Sequence, residues 1–538
     1  MTPADTARPA QRTWLYVTIA IAAALQLVVV NFWPSFESPN ERAHAYQGLA
    51  VANRGSLEIG PEVARLGGME DLASVGGRVF PNKAPGMLPL LVPAAFAARA
   101  VSGADPVAEL RLTLLLGRLL AASLPFLVSL FLLARVTRER QPRGGPSAVA
   151  VYALASPALA ASLLLFSHAL TACLLLAGFM LLFGSPRPRW PAVALAGALL
   201  AWAAACEYPV ALPAAVLAVV ALPRLGARGA LAGLAGGAVP AALLGAYNTA
   251  CFGSPLAIST AHETYGTFAR LVQHGFFGIS WPSLAGLAGL LFSPSRGLLV
   301  WSPLVALAAV GAFRPRENGG GRGATAALVA APLALLVAMA GYPNWHGGWF
   351  AGPRYLLPVL PLLFLLAARG AERLAAWPWG SAAVALAALW GWLQVWPVAA
   401  SFPFPPEDFP LPFATVARPL LAEKIAVPSW LPRGVELPLL ALLAAAAAVL
   451  LFFLVTRGTR PFERVVAIGV FLVLLAVALG VHPPATWQAS LERAVIHDLY
   501  AGGPKGALEE LLPRTDTPAR RAMLEGWIAR RDTPPAGR

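Results

Sequence analysis

Long apolar runs, interrupted by short polar segments, dominate the chain and predict a polytopic membrane protein. A helix needs roughly 20 apolar residues to cross a bilayer, and the pattern predicts about thirteen such helices. The predicted fold class is therefore all-α. The predicted spans are residues 13–33, 111–134, 146–164, 166–183, 191–206, 208–223, 230–250, 297–313, 324–341, 355–368, 380–397, 437–455 and 465–481.

Two apolar runs need separate interpretation. Run 13–33 ends in Phe32 and Trp33, where a signal-peptide cleavage site needs small residues, so we predict a retained anchor. The run from Gly86 to Val101 contains two prolines, which disfavour a straight span, and a crossing here would place "RVTRERQPRGG" outside. We therefore predict a helix that lies in the outer interface or re-enters the membrane.

Composition and charge support this topology. Hydrophobic residues make up 58% of the chain and charged residues 12%, against roughly 25% charged in soluble domains. The net charge is +14, but the short polar segments at the predicted inner side hold 18 of the 40 Lys and Arg and only 5 of the 26 Asp and Glu. Basic loops stay in the cytoplasm. We predict a cytoplasmic N-terminus, an external C-terminus and a lipid-bilayer environment, with no binding of nucleic acid.

The predicted outer side carries the longer loops. It receives a large first loop (34–110), the loop 252–295, the stretch "YPNWHGGWFAGPR", the Pro-rich "SFPFPPEDFPLPF" and a tail. All seven histidines and all three lysines fall there. We predict a membrane domain over 1–481, an extramembrane helical tail over 482–538, and chemistry that faces outward.

Signatures of soluble enzymes are missing from the sequence. There is no GxGxxG after a strand, no GxxxxGK[ST], no HExxH, no CxxC and no GxSxG. Cys173, Cys206 and Cys251 lie in apolar context, which argues against a disulfide framework or a zinc cluster. The remaining classes are chemistry or transport built on membrane helices.

The stretch "SFESPNERAHAY" concentrates charge directly after the first apolar run. Ser38 and Glu41 have the spacing of a capping box around Pro39, and the pattern predicts an amphipathic helix from Pro39 to Asn53 on the outer membrane surface. Glu41 and His44 share one face of that helix. The pair suits helix capping alone, a proton acceptor, or ligands for a metal.

The turn "PNKAPG" places Lys83, one of three lysines, directly before the apolar run at Gly86. A lysine at this position either extends to lipid headgroups or provides a compact positive charge for a lipid-linked phosphate.

Together these elements resemble the GT-C membrane glycosyltransferases, especially the protein O-mannosyltransferases and the lipid A aminoarabinose transferase. The resemblance covers roughly residues 13–370. It is carried by "NERAHAYQGLAVANRGSLEI", "GGRVFPNKAPGMLPLLVP", "YNTACFGSPLAIS", "GLLFSPSRGLLVWSPL" and "NWHGGWFAGPRYLLPVLPLL".

The resemblance implies a GT-C fold and transfer of a sugar from a polyprenyl-phosphate donor to an acceptor hydroxyl. Glu41 matches the acidic position that deprotonates the acceptor or holds a divalent cation, Mg or Mn, and Lys83 matches the phosphate-contacting lysine. The chain departs from the family pattern at Asn40, where a second acid is common, and at Asn82, where the aminoarabinose transferase has a glutamate. The acceptor class, whether protein, lipid or glycan, stays open.

Further polar residues at the predicted outer ends of helices fit such a site. Arg296 and Arg354 suit phosphate oxygens, although interfacial arginines also bind lipid headgroups. Charged groups at membrane helix ends, such as Glu207, are costly and usually functional. The candidates for sugar or acceptor contacts are His44, His168, Glu207, Tyr247, Asn248, His262, Trp345 and His346.

Two alternatives to this enzyme remain from the sequence. A transporter or lipid flippase would use the same charges along a translocation path, but such proteins place ionisable groups near the midplane and often contain inverted repeats, which this sequence lacks. An oligosaccharide ligase or polymerase would share the lipid-phosphate chemistry. The predicted location is the bacterial inner membrane, with the active site on the periplasmic side.

Overall fold

The computed structural model describes residues 3–30, 38–103, 105–138, 141–313, 322–377, 379–432, 434–457, 459–500 and 506–532. Phe32 and Trp33, on which the predicted anchor depends in part, lie outside these ranges. The described chain is almost entirely helical, as the sequence predicts, with one short β-hairpin.

The helices are as follows. In the first half they are α1 Pro3–Val28, α2 Pro39–Arg54, α3 Gly60–Leu66, α4 Leu88–Ser102, α5 Pro106–Arg118, α6 Leu124–Thr137, α7 Gly144–Leu154, α8 Pro157–Ser162, α9 His168–Phe183, α10 Trp190–Cys206 and α11 Ala211–Phe252. In the second half they are α12 Gly266–Val272, α13 Leu284–Phe292, α14 Leu298–Trp301, α15 Leu307–Ala312, α16 Arg322–Ala340, α17 Leu360–Leu374, α18 Gly380–Ser401, α19 Arg418–Ala422, α20 Glu436–Val455, α21 Pro461–Leu479, α22 Trp487–Val495 and α23 Pro518–Asp532.

Eight helical segments of the described chain are long and apolar enough to cross a membrane. The predicted number of thirteen spans is not confirmed. The qualifying segments are Pro85–Ser102, Pro106–Thr137, Tyr208–Phe252, Arg322–Ala340, Arg354–Leu374, Gly380–Ser401, Glu436–Val455 and Pro461–Leu479.

Two predicted spans are broken helices. Within 146–164, α7 ends and α8 begins at Ser156, whose side chain accepts a hydrogen bond from the Ala158 N–H at 3.3 Å before Pro157 starts the new helix. Within 297–313, Pro303 follows Ser302 between α14 and a 3₁₀ turn. In both places a serine and a proline end one helix and start another, so hydropathy alone overestimates the length of the helices.

The predicted spans 208–223 and 230–250 correspond to two helical segments within α11, which meet at a kink at Gly226. The backbone there has φ 63° and ψ 175°, which favours glycine. The segment after Gly226 packs closely on α10, because a Cβ on Gly197 would lie 2.0 Å from the Gly233 carbonyl oxygen. Small residues thus allow these two helices to approach, as is typical of membrane proteins.

Helix α2 differs from the prediction of a surface helix. Twelve of its 16 residues are buried, and they include the polar residues Glu41, Arg42, His44 and Gln47. The Ser38 side chain makes no capping hydrogen bond, so its half of the predicted capping box is not formed. The charge in this segment is therefore placed inside the protein, where each group needs a partner or a function.

A short antiparallel hairpin in the first loop was not predicted. Strands β1 (Leu72–Val75) and β2 (Arg78–Pro81) pair with Leu72 opposite Pro81 and Val75 opposite Arg78. Gly76 and Gly77 form the turn with φ values of 57° and 78°, as a two-residue hairpin turn requires. The hairpin brings the residue before β1 close to the residues after β2.

Helix α4 follows the Lys83 turn directly. Its segment Pro85–Ser102 is long enough to cross a membrane, and its predicted placement in the outer interface stays a prediction. Gly86 at its start touches α10, because a Cβ there would lie 2.5 Å from the Cys206 backbone nitrogen. The Trp202 indole N–H also donates to the Gly86 carbonyl at 2.7 Å. The Lys83 turn is thereby fixed to the end of α10.

The described part of the tail contains α22 and α23, and its predicted position outside the membrane stays a prediction. The Tyr500 ring packs on Trp349 and Phe402, with centroids 5.6 and 5.3 Å away. Arg530 of α23 lies 3.5 Å from Glu70 of the first loop. The tail therefore contacts two of the segments that build the site described next.

Candidate active site

Glu41 lies in the interior of the protein at 1% exposure. Its Oε1 accepts a hydrogen bond of 2.8 Å from the backbone N–H of Leu165, which lies between α8 and α9. Its negative charge also acts on Arg118, a fully buried cation of α5. Glu41 thus links α2 to the segment 163–167 and offsets part of a buried positive charge.

His44 lies one turn after Glu41 and is 2% exposed. Burial lowers the pKa of His44 to about 3, so the imidazole is neutral. Among the described residues, its Nδ1 has no hydrogen-bond partner. The ionisable groups that act on it electrostatically are Lys83, Asp71, His168 and Arg354. The structure therefore brings residues from three separate parts of the chain, the first-loop hairpin, the start of α9 and the loop before α17, around α2.

Lys83 lies beside two acidic residues, Asp71 and Glu263, that were not identified from the sequence. Its Nζ lies 3.0 Å from Asp71 Oδ1, at the open end of the β1–β2 hairpin, and the lysine side chain is 21% exposed. Asn82 donates to Asp71 at 3.2 Å and also to the Glu263 carboxylate. Burial raises the pKa of Glu263 above its usual value. Lys83 is a fixed, partly accessible cation.

The segment 163–167 is the centre of the arrangement. The Phe166 ring packs against the His168 ring, with centroids 5.7 Å apart. The Arg354 guanidinium lies over the Phe166 ring, 5.3 Å from its centroid. It also donates to the Gly347 carbonyl at 2.9 Å. Arg354 therefore faces the same cluster as Glu41 and His44.

His168 and Glu207 form a buried pair at the start of α9 and the end of α10. His168 Nδ1 lies 2.8 Å from Glu207 Oε2, and their side chains are 4% and 12% exposed. The Ser167 hydroxyl donates to the same Glu207 oxygen at 3.3 Å. The two residues that the sequence places separately at helix ends are direct partners.

Arg296 lies beside this cluster, and backbone carbonyls occupy its terminal nitrogens. It is fully buried and donates to the carbonyls of Ser295, Gly348 and Pro405 at 3.0, 2.8 and 2.8 Å. These bonds hold the loops after α13, α16 and α18 together. Its predicted contact with phosphate stays a prediction, and the observed contacts give it a structural role.

Tyr247, Asn248 and His262 lie under the hairpin. The Tyr247 hydroxyl accepts a hydrogen bond of 2.9 Å from Gln47 of α2. Asn248 donates to the Pro255 carbonyl at 3.2 Å, and the His262 ring stacks on Phe252 with centroids 5.1 Å apart. The three residues support the first loop, and their predicted contacts with sugar stay predictions.

Trp345 and His346 lie on the turn that carries Gly347. The Trp345 ring covers Gly289 of α13, where a Cβ would come within 2.4 Å of it. His346 Nδ1 lies 3.9 Å from Glu407, and burial lowers the His346 pKa. Their contacts with substrate also stay predictions.

The described residues do not fit a metal centre made by this chain alone. Within the described ranges, no three His, Cys, Asp or Glu residues are grouped as ligands. One oxygen of Glu41 already accepts the Leu165 N–H. The predicted divalent cation stays a prediction, and we derive no chemical step through it.

Sequence reasoning missed Asp71, Glu263 and Phe166. Two glycines between alternating residues in "LASVGGRVFP" are a hairpin signal that would have placed Asp71 opposite Asn82 and next to Lys83. No sequence signal connects Glu263 to Asn82, because these residues are 181 positions apart.

Similar folds occur among solved structures. No family model matches the chain, and no curated protein sequence matches it. The structure of ArnT from Cupriavidus metallidurans bound to undecaprenyl phosphate is similar at 16% identity and a TM-score of 0.45, over 84% of this chain and 78% of that chain. The archaeal oligosaccharyltransferase AglB from Archaeoglobus fulgidus is similar at 12% identity and a TM-score of 0.38, over 96% of this chain and 59% of that one.

The arabinosyltransferase EmbB from Mycobacterium smegmatis is similar at 14% identity and a TM-score of 0.39, over 87% of this chain and 40% of that one. Two of these proteins are named as glycosyl-transferring enzymes.

Proposed function

We propose that this protein is an integral membrane glycosyltransferase that moves a sugar from a polyprenyl-phosphate donor to an acceptor hydroxyl. The observation that carries the proposal is the convergence of two cations, Lys83 and Arg354, with the buried groups Glu41, His44 and His168. Buried ionisable groups in a membrane protein are costly and generally serve a function.

The two cations suit a lipid-linked phosphate. Lys83 provides a compact charge from the first loop, and Arg354 provides a planar fork from the loop before α17. The leaving phosphate gains negative charge as its bond to the sugar breaks, and fixed cations stabilise that charge. Because the donor carries its own leaving group, no nucleotide-binding motif is needed.

An apolar groove outside the cluster suits the lipid chain of such a donor. It has a volume of about 670 Å³ and lies between α11 and α16, lined by Leu212, Val216, Leu333 and Val337. Ser280 also lines the groove, and its backbone N–H donates to the Gly341 carbonyl at 2.9 Å. The next residue, Tyr342, packs on Tyr355 beside Arg354.

The acceptor hydroxyl must lose a proton during transfer. The cluster contains two groups that can receive it, the Glu41 carboxylate and the His168 imidazole. The acceptor is a hydroxyl of a protein, lipid or glycan that reaches the site from the side where the first loop lies.

This side is the periplasmic or external face of a bacterial inner membrane, with the N-terminus in the cytoplasm. The basic short segments support this orientation. A reporter fused after Gly145 should be cytoplasmic, and one fused after Gly60 should be external. The opposite pair of results would contradict the orientation.

A strain that lacks the gene tests the proposed class of reaction. Mass spectrometry of its surface glycans, glycolipids and glycoproteins should show the loss of one sugar. A plasmid that encodes the parent protein or Lys424→Ala, a variant of an exposed lysine, should restore it, whereas the double variant Lys83→Ala, Arg354→Ala should not. An unchanged glycan profile in the deletion strain would contradict the proposal, and loss of a whole lipid-linked oligosaccharide from the surface would favour a flippase.

A further inference from the structure

The His168–Glu207 pair fixes the imidazole in one orientation. Nδ1 lies 2.8 Å from the Glu207 carboxylate. The ring is stacked on Phe166 at an interplanar angle of 25° and contacts Phe350 edge-on at 87°. With one nitrogen bonded and two aromatic rings packed against it, the ring has little freedom to turn.

This contact also sets the tautomer. An ionised carboxylate only accepts hydrogen bonds, so Nδ1 carries the proton in this contact, and in the neutral form of the ring the lone pair is on Nε2. Nε2 is buried and has no partner among the described residues. An unpaired buried polar atom costs about 1–3 kcal/mol. Stability alone does not account for this lone pair.

The lone pair belongs to the same cluster as the cations. His168 lies three residues after Leu165, which binds Glu41. The His168 ring packs against Phe166, and the Arg354 guanidinium lies over the same Phe166 ring. The charge of a protonated His168 would act on His44.

Glu41 is less suited to receive a proton. Its Oε1 accepts the Leu165 N–H, it is 1% exposed, and its charge offsets buried Arg118. These contacts make Glu41 a positioning residue that fixes the segment before His168.

We propose that His168, oriented by Glu207, is the proton acceptor for the acceptor hydroxyl; the inference rests on the proposed function. The acceptor oxygen forms a bond to the anomeric carbon as the bond from that carbon to the phosphate oxygen breaks. Polyprenyl phosphate leaves with the electron pair of that bond. The hydroxyl proton moves to Nε2, and the resulting imidazolium keeps its Nδ1–H on the Glu207 carboxylate.

Nitrogen-15 NMR of the full-length protein in nanodiscs, with labelled histidine, tests the tautomer without any substrate. The His168 signals are assigned from their loss in His168→Gln. We expect Nδ1 to be protonated and Nε2 to be unprotonated in the parent, with a mixture of tautomers in Glu207→Gln. A proton on Nε2 and none on Nδ1 in the parent would overturn the proposal.

Transfer assays test the chemical role. His168→Gln should lose roughly 100-fold to 10,000-fold in kcat, while His274→Gln, a variant of an exposed histidine, should keep parental activity. Added imidazole should restore part of the activity of His168→Gly, which separates loss of the base from loss of folding. A parent that transfers sugar together with an equally active His168→Gln would overturn this inference alone. A parent that transfers nothing would overturn the proposed function, and this inference with it.

Discussion

Lys83 and Asp71 form an ion pair at the open end of a two-stranded hairpin, with 3.0 Å between the lysine Nζ and the aspartate Oδ1. The hairpin makes residues twelve positions apart into neighbours. It fixes a cation that would otherwise be mobile, and Asn82 connects the same pair to Glu263 in another loop.

Lys83→Ala should weaken binding of the donor. Removal of a fixed cation from a phosphate site costs about 1.5–3 kcal/mol, or roughly tenfold or more in affinity. Lys83→Arg should recover part of it, because charge remains while shape changes. Native mass spectrometry with polyprenyl phosphate measures this, with Lys424→Ala as the control. Parental affinity in Lys83→Ala would assign the lysine to lipid headgroups.

Glu41→Gln should destabilise the protein more than it slows chemistry. Gln keeps an oxygen for the Leu165 N–H, but buried Arg118 loses an acidic neighbour, and we expect a cost of about 1–3 kcal/mol. Ser38→Ala should be silent, because Ser38 does not cap α2. Thermal unfolding and transfer rates of both variants measure this.

In the same assays, loss of transfer beyond about 100-fold in well-folded Glu41→Gln would make Glu41 the base. A matching loss on addition of chelator, reversed by Mg or Mn, would instead support the predicted cation at Glu41.

Gly86→Ala should separate the Lys83 turn from α10. An added Cβ would lie 2.5 Å from backbone atoms of Ala205 and Cys206, which cannot move easily. Overpacking of this kind costs about 1–3 kcal/mol, and donor binding should fall with it. Gly469→Ala is the control, since a Cβ there meets nothing within 4 Å. Equal melting temperatures for the two variants would show that the turn is not fixed to α10.

The tail should dock less tightly as pH rises. Burial raises the pKa of Glu492 in α22 to about 7, from 4.5. The folded protein therefore binds the proton of Glu492 more strongly than the unfolded tail does. The stabilising contribution of protonated Glu492 is fully present below pH 4.5 and is lost as pH rises toward 7. The protection of α22 amides, which is the intrinsic exchange rate divided by the observed rate at each pH, should fall over that range in the parent. It should change less in Glu492→Gln. Identical pH dependence in both would contradict the role of Glu492.

The sequence predicts what depends on neighbours along the chain. Apolar runs give the helical class and most long helices, and the spacing of Glu41 and His44 gives their shared position on α2. Apolar runs do not give the break at Ser156, since a buried serine and proline interrupt a segment of continuous hydrophobicity.

Long-range packing accounts for the parts of the site that the sequence does not predict. Glu41 accepts a hydrogen bond from Leu165, 124 positions away. The burial of α2 depends on helices that pack against it, such as α4 and α5. His168 and Glu207 were identified as polar groups at helix ends. Their pairing follows only from the packing of α9 on α10.

The most direct test of the account is transfer by the purified full-length protein in nanodiscs. Polyprenyl phosphates that carry different labelled sugars are incubated with acceptor fractions from the cell envelope, and products are identified by mass spectrometry. We expect the parent and Lys424→Ala to release polyprenyl phosphate and label a hydroxyl acceptor, and the double variant Lys83→Ala, Arg354→Ala to do neither. Transfer by that double variant at the parental rate, or no transfer by the parent from any polyprenyl-phosphate sugar, would contradict the account.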